Sequence, residues 1–175
     1  MNTRLTQGFQ RALTVLPAIA VLAAATATSA GAATTAAASF DFSAEAGAHP
    51  VADRSGHWAA PDAEVRVWEH DNVVTLDGET DNGFDYIRVE LSGPGGAPLQ
   101  PGVYRDARNP EHHPDSPGIA VVSNGFGCGV DYGEFTVDVI ERDADNRLVA
   151  LEASFEQRCG SPTGPAFRGQ LHYHG

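Results

Sequence analysis

Apolar and polar residues alternate most cleanly between residues 133 and 160. Phe135, Val137 and Val139 alternate with Thr136 and Asp138, and Leu151, Ala153 and Phe155 alternate with Glu152, Ser154 and Glu156. A period of two marks half-buried strands. A three-residue loop, Ala144-Asp145-Asn146, leaves Asp143 facing Arg147, and Asn146 tolerates the positive φ that such a loop needs at its third place. This register pairs Phe135 with Phe155, Val137 with Ala153 and Val139 with Leu151 on one face, and sets Asp138 opposite Glu152 on the other. It also brings Cys128 within a few residues of Cys159, with Gly125, Gly127, Gly129 and Gly160 to absorb the offset. The expectation is a Cys128–Cys159 disulfide, stabilising by ~3.5 kcal/mol through loop closure. The alternative is two unpaired thiols in a reducing compartment.

The same reading yields further short strands. They are Phe40–Phe42, Ala63–His70, Val73–Leu76, Asp85–Leu91, Gly102–Tyr104, Ile119–Ser123 and Phe167–Tyr173. Ala46–Pro61 reads as irregular, with Trp58 as its one large apolar group, and Asp106–Pro117 as an exposed loop. Eight or nine strands, with no 3.6-residue period to supply covering helices, imply an all-β domain. The predicted fold is an antiparallel β-sandwich, immunoglobulin-like or jelly-roll-like, closed by one disulfide; a small β-barrel is the alternative.

The N-terminal 32 residues change the picture of where the domain works. Arg4 and Arg11 precede and open an apolar run, Ala12–Ala25, and Ala30-Gly31-Ala32 carries small residues where a signal peptidase reads. Residues 1–32 therefore read as a signal peptide, with a retained anchor as the competing reading, residues 33–39 as a linker and residues 40–175 as a single β domain. The implied location is secreted, with no membrane span once the signal is removed. The formal charge is −12, and every basic side chain is Arg. An acidic chain repels phosphates, which argues against nucleic acid as a partner.

Several runs carry a resemblance. They are Pro101-Gly102-Val103-Tyr104-Arg105-Asp106-Ala107, Ser116-Pro117-Gly118-Ile119, Gly127-Cys128 ahead of Gly133-Glu134-Phe135-Thr136-Val137, and Phe155-Glu156-Gln157-Arg158-Cys159-Gly160 followed by Pro165-Ala166 and Gly169. Together they resemble a family of small secreted or surface proteins of GC-rich bacteria that has no assigned activity. The likeness spans most of residues 85–173 and is looser over 40–84. It implies an extracytoplasmic β domain with a linked cysteine pair, and it brings no catalytic residues.

The candidate chemistry is sparse. His172 and His174 point to one face of the last strand, roughly 7 Å apart, a spacing that suits two ligands of one zinc or copper ion, with His112, His113 or Asp115 as a third. The competing reading is two solvated histidines. Asp138 and Glu152, like charges across a ladder, read as calcium ligands, as a glycosidase pair, or as carboxylates neutralised by Arg88, Arg142 or Arg158. The acidic runs Asp77–Gly83 and Asp143–Asn146 have calcium-like density but the composition of ordinary turns. Trp68, Tyr86 and Tyr104 are candidates for an aromatic platform, against a role in the core. No nucleophile elbow, zinc-protease helix, phosphate loop or dinucleotide fingerprint occurs. The expected function is thus a non-catalytic binding or structural module outside the cell, facing an extracellular protein or polysaccharide and needing no cofactor. The alternative is a divalent-cation-binding protein, of calcium or zinc, or a minor hydrolase using the acidic and histidine-bearing surface.

Overall fold

The computed structural model describes residues 37–80 and 83–175; the predicted signal peptide and the first part of the predicted linker lie outside these residues. The strands are β1 (Ala37–Ala44), β2 (Ser55–Ala59), β3 (Glu64–His70), β4 (Val73–Thr80), β5 (Asp85–Ser92), β6 (Gly102–Arg108), β7 (Gly118–Ser123), β8 (Phe126–Gly127), β9 (Asp131–Arg142), β10 (Leu148–Cys159) and β11 (Ala166–His174). β1 begins at Ala37, inside the span read as linker.

The strands form one sheet in the order β2-β1-β11-β10-β9-β6-β7-β5-β4-β3, with β8 pairing β7 off this path. The sheet wraps 298° about its axis, a nearly closed barrel. This overturns the predicted two-sheet sandwich. The deciding strand is β6. It pairs antiparallel with β9 and reaches β7 through a parallel bridge, Arg108 to Gly118. Two blocks of strands that would be separate layers of a sandwich are thereby joined into one sheet. β6 reads as three residues in the sequence because Asp106, at φ 55°, interrupts its alternation where the ladder shifts register.

Most inward positions are apolar, with Gln157 and Asp131 as buried polar exceptions. Phe40, Phe135, Phe155, Phe167, Leu76, Ile87, Val89, Ile119, Val137 and Leu151 meet in one core. The rings interlock: Phe40 stands 6.2 Å from Phe155 and 5.2 Å from Phe42, and Tyr104 stacks on Phe135 at 4.6 Å. Gly169 makes room for them, since a Cβ there would come within 2.6 Å of the rings of Phe155 and Phe40. The void lined by the core side chains of Val74, Leu76, Val89, Leu91, Phe155 and Leu171 is only about 10 Å³, too small for more than a water molecule, so this part of the barrel interior is filled by side chains. Trp58 of β2 lies across the seam between the two edge strands: it packs on Phe42 at 4.8 Å and over Gly78 of β4.

The ends are closed by polar ties. At one, Ala48 and Val51 of the β1–β2 connection are buried, and Arg54 hydrogen-bonds Asp85 and Ser123. At the other, Arg142 grips Glu69 with two bonds of 2.6 Å. The Cys128–Cys159 disulfide is present, with a Cα separation of 5.7 Å. Among the described residues no helix is long and apolar enough to cross a membrane.

The β9–β10 hairpin turns as predicted. Asp143 N–H donates to Arg147 O at 2.9 Å, and Asn146 has φ 61°. Phe135 pairs with Phe155 and Val137 with Ala153. Between turn and pairs, however, two bulges shift the register by one and shift it back. Leu151 therefore faces Ile140 rather than Val139, and Glu152 faces Val139 rather than Asp138.

Candidate functional site

The outward face of β2, β1, β11, β10 and β9 carries two polar rows that run across the strands. One reads His57, Asp41, Gln170, Ser154, Thr136; the next reads Ser55, Ser43, Arg168, Glu156, Glu134. Five strands at about 4.8 Å spacing make each row about 19 Å long. Between them lies a groove of about 550 Å³, lined by Asp41, Ser43, Glu134, Thr136, Ser154, Glu156, Arg168 and Gln170. The residues are there because the twofold period of each strand sends its core side chains inward and leaves these outward.

The charges along the groove are largely spent on each other. His57 Nδ1 meets Asp41 at 2.8 Å. Arg168 bonds Glu156 at 2.7 Å and Glu45 at 2.8 Å, and Arg158 bonds Glu156 at 2.9 Å. Glu45 accepts from the Ala166 backbone N–H and from Arg168, which together hold its carboxyl below the usual range. The neutral side chains differ. Ser43, Thr136, Ser154 and Gln170 make no side-chain hydrogen bond to another described residue, so their donors and acceptors face solvent. The like-charge pair expected at Asp138 and Glu152 occurs instead at Glu134 and Glu156, which face each other directly. Two arginines on Glu156 neutralise it.

Of the residues singled out from sequence, Asp138 is the extra residue of the β9 bulge and is exposed. The bulge sets Val139, not Asp138, opposite Glu152, so the two carboxylates do not form the directly facing pair expected. Glu152 meets the histidines instead: His172 Nδ1 bonds Oε2, and His174 Nε2 lies 3.2 Å from Oε1. No contact joins His112, His113 or Asp115 to this cluster; His113 faces Arg108. Among the described residues no group of three or more His, Cys, Asp and Glu side chains is arranged to hold a metal ion.

The aromatic platform does not assemble. Tyr104 packs against the core, and its hydroxyl bonds the Gln100 backbone at 2.9 Å. Tyr86 accepts from Gly125 N–H through its hydroxyl at 2.8 Å. Trp68 is outward and 39% exposed, but it sits opposite Thr75 and Glu90, four residues along the sheet from Tyr86. The groove residues Ser43, Thr136, Ser154 and Gln170 carry no signal of their own in the sequence; only register brings them together.

Fold and groove define the class: a nearly closed, mostly antiparallel β-barrel with a disulfide and a polar groove on the outer face of β2, β1, β11, β10 and β9. No protein-family model, curated protein or solved structure matches the chain.

Proposed function

We propose that this chain is a secreted, non-catalytic binding module whose outer groove takes an uncharged, hydroxyl-rich polymer, a polysaccharide, lying across β1, β11, β10 and β9. The observation that carries the reading is the unpartnered neutral floor. Hydroxyl and carboxamide groups at Ser43, Thr136, Ser154 and Gln170 offer both donors and acceptors to sugar hydroxyls, without the desolvation cost of an unpaired charge. The paired rim gives a charged ligand little to hold, and the carboxylate of Glu134, outside these pairs, disfavours an anionic one while still accepting from hydroxyls. The core void of about 10 Å³ lined by Val74, Leu76, Val89, Leu91, Phe155 and Leu171 is too small for a ligand. The signal-like N-terminus and the resemblance to small secreted proteins support a place outside the cell.

Affinity electrophoresis and calorimetry against a panel of neutral and anionic polysaccharides test the proposal. At least one neutral polymer is expected to bind, Gln170→Ala to weaken it about tenfold, the ~1.4 kcal/mol of a good hydrogen bond, and Ser154→Tyr to block it by filling the floor. Retention of no neutral polymer, or binding that both variants leave unchanged, would overturn it.

A further inference from the structure

Three side chains from three adjacent strands stand in one row. Ser39 on β1 lies directly opposite His172 on β11, and His172 lies directly opposite Glu152 on β10. All three face outward, two residues along their strands from Asp41, Gln170 and Ser154 of the groove. Cβ atoms of residues facing each other across a ladder are about 5 Å apart. Glu152 accepts from His172 Nδ1, so Nδ1 carries the hydrogen and, in the neutral ring, the lone pair rests on Nε2. Nε2 is on the side of the ring away from Glu152, the side on which Ser39 stands. Ser39 Oγ makes no hydrogen bond to another described residue, so rotation about its one χ angle can bring it to Nε2. Ser39 and His172 also line one cavity of about 750 Å³ at the barrel seam, with small apolar walls at Ala59, Pro61, Ala63 and Val65. A backbone donor stands beside them. Ala44 N–H donates to Arg54 O across the β1–β2 ladder, so by alternation the Ala38 N–H faces that same side. The ladder ends at the Ser39–Ala59 pair, and beyond it the Ala38 N–H makes no hydrogen bond to another described residue.

We infer that this row is an acyl-transfer site for short-chain carboxylic esters, with Ser39 as nucleophile, His172 as general base and Glu152 as the positioning residue that fixes the imidazole tautomer. The Ser39 proton passes to His172 Nε2 as Oγ bonds the ester carbonyl carbon, and the Ala38 N–H donates to the oxyanion that forms. The C–O bond to the leaving alcohol then breaks, and the alcohol takes the proton from Nε2. Water attacks the acyl-Ser39 ester by the same route: its proton goes to Nε2 and from there to Oγ, and the carboxylic acid leaves. Walls of alanine, proline and valine suit an acyl chain of a few carbons. The activity goes beyond the groove's binding role and does not depend on it.

The test is labelling of the full chain with a fluorophosphonate, located by peptide mass spectrometry, together with hydrolysis of p-nitrophenyl acetate and butyrate. Label is expected on Ser39, and hydrolysis is expected to saturate. Ser39→Ala should abolish both, and His172→Ala should slow both at least about 100-fold, with circular dichroism spectra unchanged. Glu152→Gln should lower kcat about 10²- to 10⁴-fold and leave KM unchanged, a split that a merely structural role would not produce. Absence of label at Ser39, hydrolysis that persists in Ser39→Ala, or a parental labelling rate in His172→Ala would overturn the site. Parental kcat in Glu152→Gln would overturn the positioning role.

Discussion

Asp131 lies 1% exposed beside the disulfide, at the foot of β9. Its carboxyl accepts from Gln157 Nε2 at 2.7 Å and from Asn109 Nδ2 at 3.1 Å, and Asn109 also donates to Cys128 O at 3.1 Å. Burial raises its pKa to about 6, against the lowering effect of those two amides and of His49. Because the folded state binds this proton more tightly than the unfolded chain, its contribution to stability is complete below pH 3.8 and declines as pH rises through about 6. The shift corresponds to about 3 kcal/mol. Unfolding followed by denaturant between pH 4 and 7 should show that decline in the parent protein, and Asp131→Asn should remove it. An identical slope in both would contradict the assignment. No feature of the sequence around Asp131 announces this network, because its partners come from three distant segments.

At the scale of elements, the β9–β10 hairpin was the most legible part of the chain. Alternation and turn chemistry agree there, and the positive φ of Asn146 and the Phe135–Phe155 pair follow from them. The two bulges were not legible. They cancel each other, so the pattern reads correctly at both ends while the middle, including Glu152, is shifted by one. β2 carries no strand signal for another reason: its inward positions are Gly56 and Trp58, and a glycine breaks the apolar alternation that marks a strand. Gly56 is small because the ring of Phe42 stands 3.1 Å from where its Cβ would lie. The disulfide joins the foot of β9 to the end of β10 across 31 residues. Replacing both cysteines by Ala should cost about 3.5 kcal/mol. A melting temperature unchanged by that replacement, or by reductant, would show that the bridge does not restrain the unfolded chain.

For the whole molecule, the difference between sandwich and barrel came down to one strand that the sequence showed only in part. All-β character, the disulfide and the absence of a 3.6-residue period were legible because they depend on local pattern. Closure was not, because it depends on whether β6 bridges β9 and β7. The seam left by the 298° wrap is covered from inside by Trp58, whose ring lies against Gly78, Phe40 and Phe42. Trp58→Ala should therefore destabilise the barrel by about 3–5 kcal/mol, read from chemical denaturation; a loss below 1 kcal/mol would mean that the seam is held by other contacts. The groove belongs to this scale too. Ser43, Thr136, Ser154 and Gln170 come from four strands, and each alone resembles any solvent-facing polar residue. The histidine cluster was half legible: the His172–His174 spacing was visible, but the partnership with Glu152 required the true register.

The proposed polysaccharide binding in the groove is tested most directly by two-dimensional NMR of the isotope-labelled protein, titrated with short neutral oligosaccharides of glucose, mannose and galactose. Saturable shifts are expected in the backbone amides of Ser43, Thr136, Ser154 and Gln170 and in the Gln170 carboxamide, with little change at Trp68 or at the exposed Phe84 and Phe126. Shifts confined to those aromatic residues, or no shifts at any of these sugars, would contradict it.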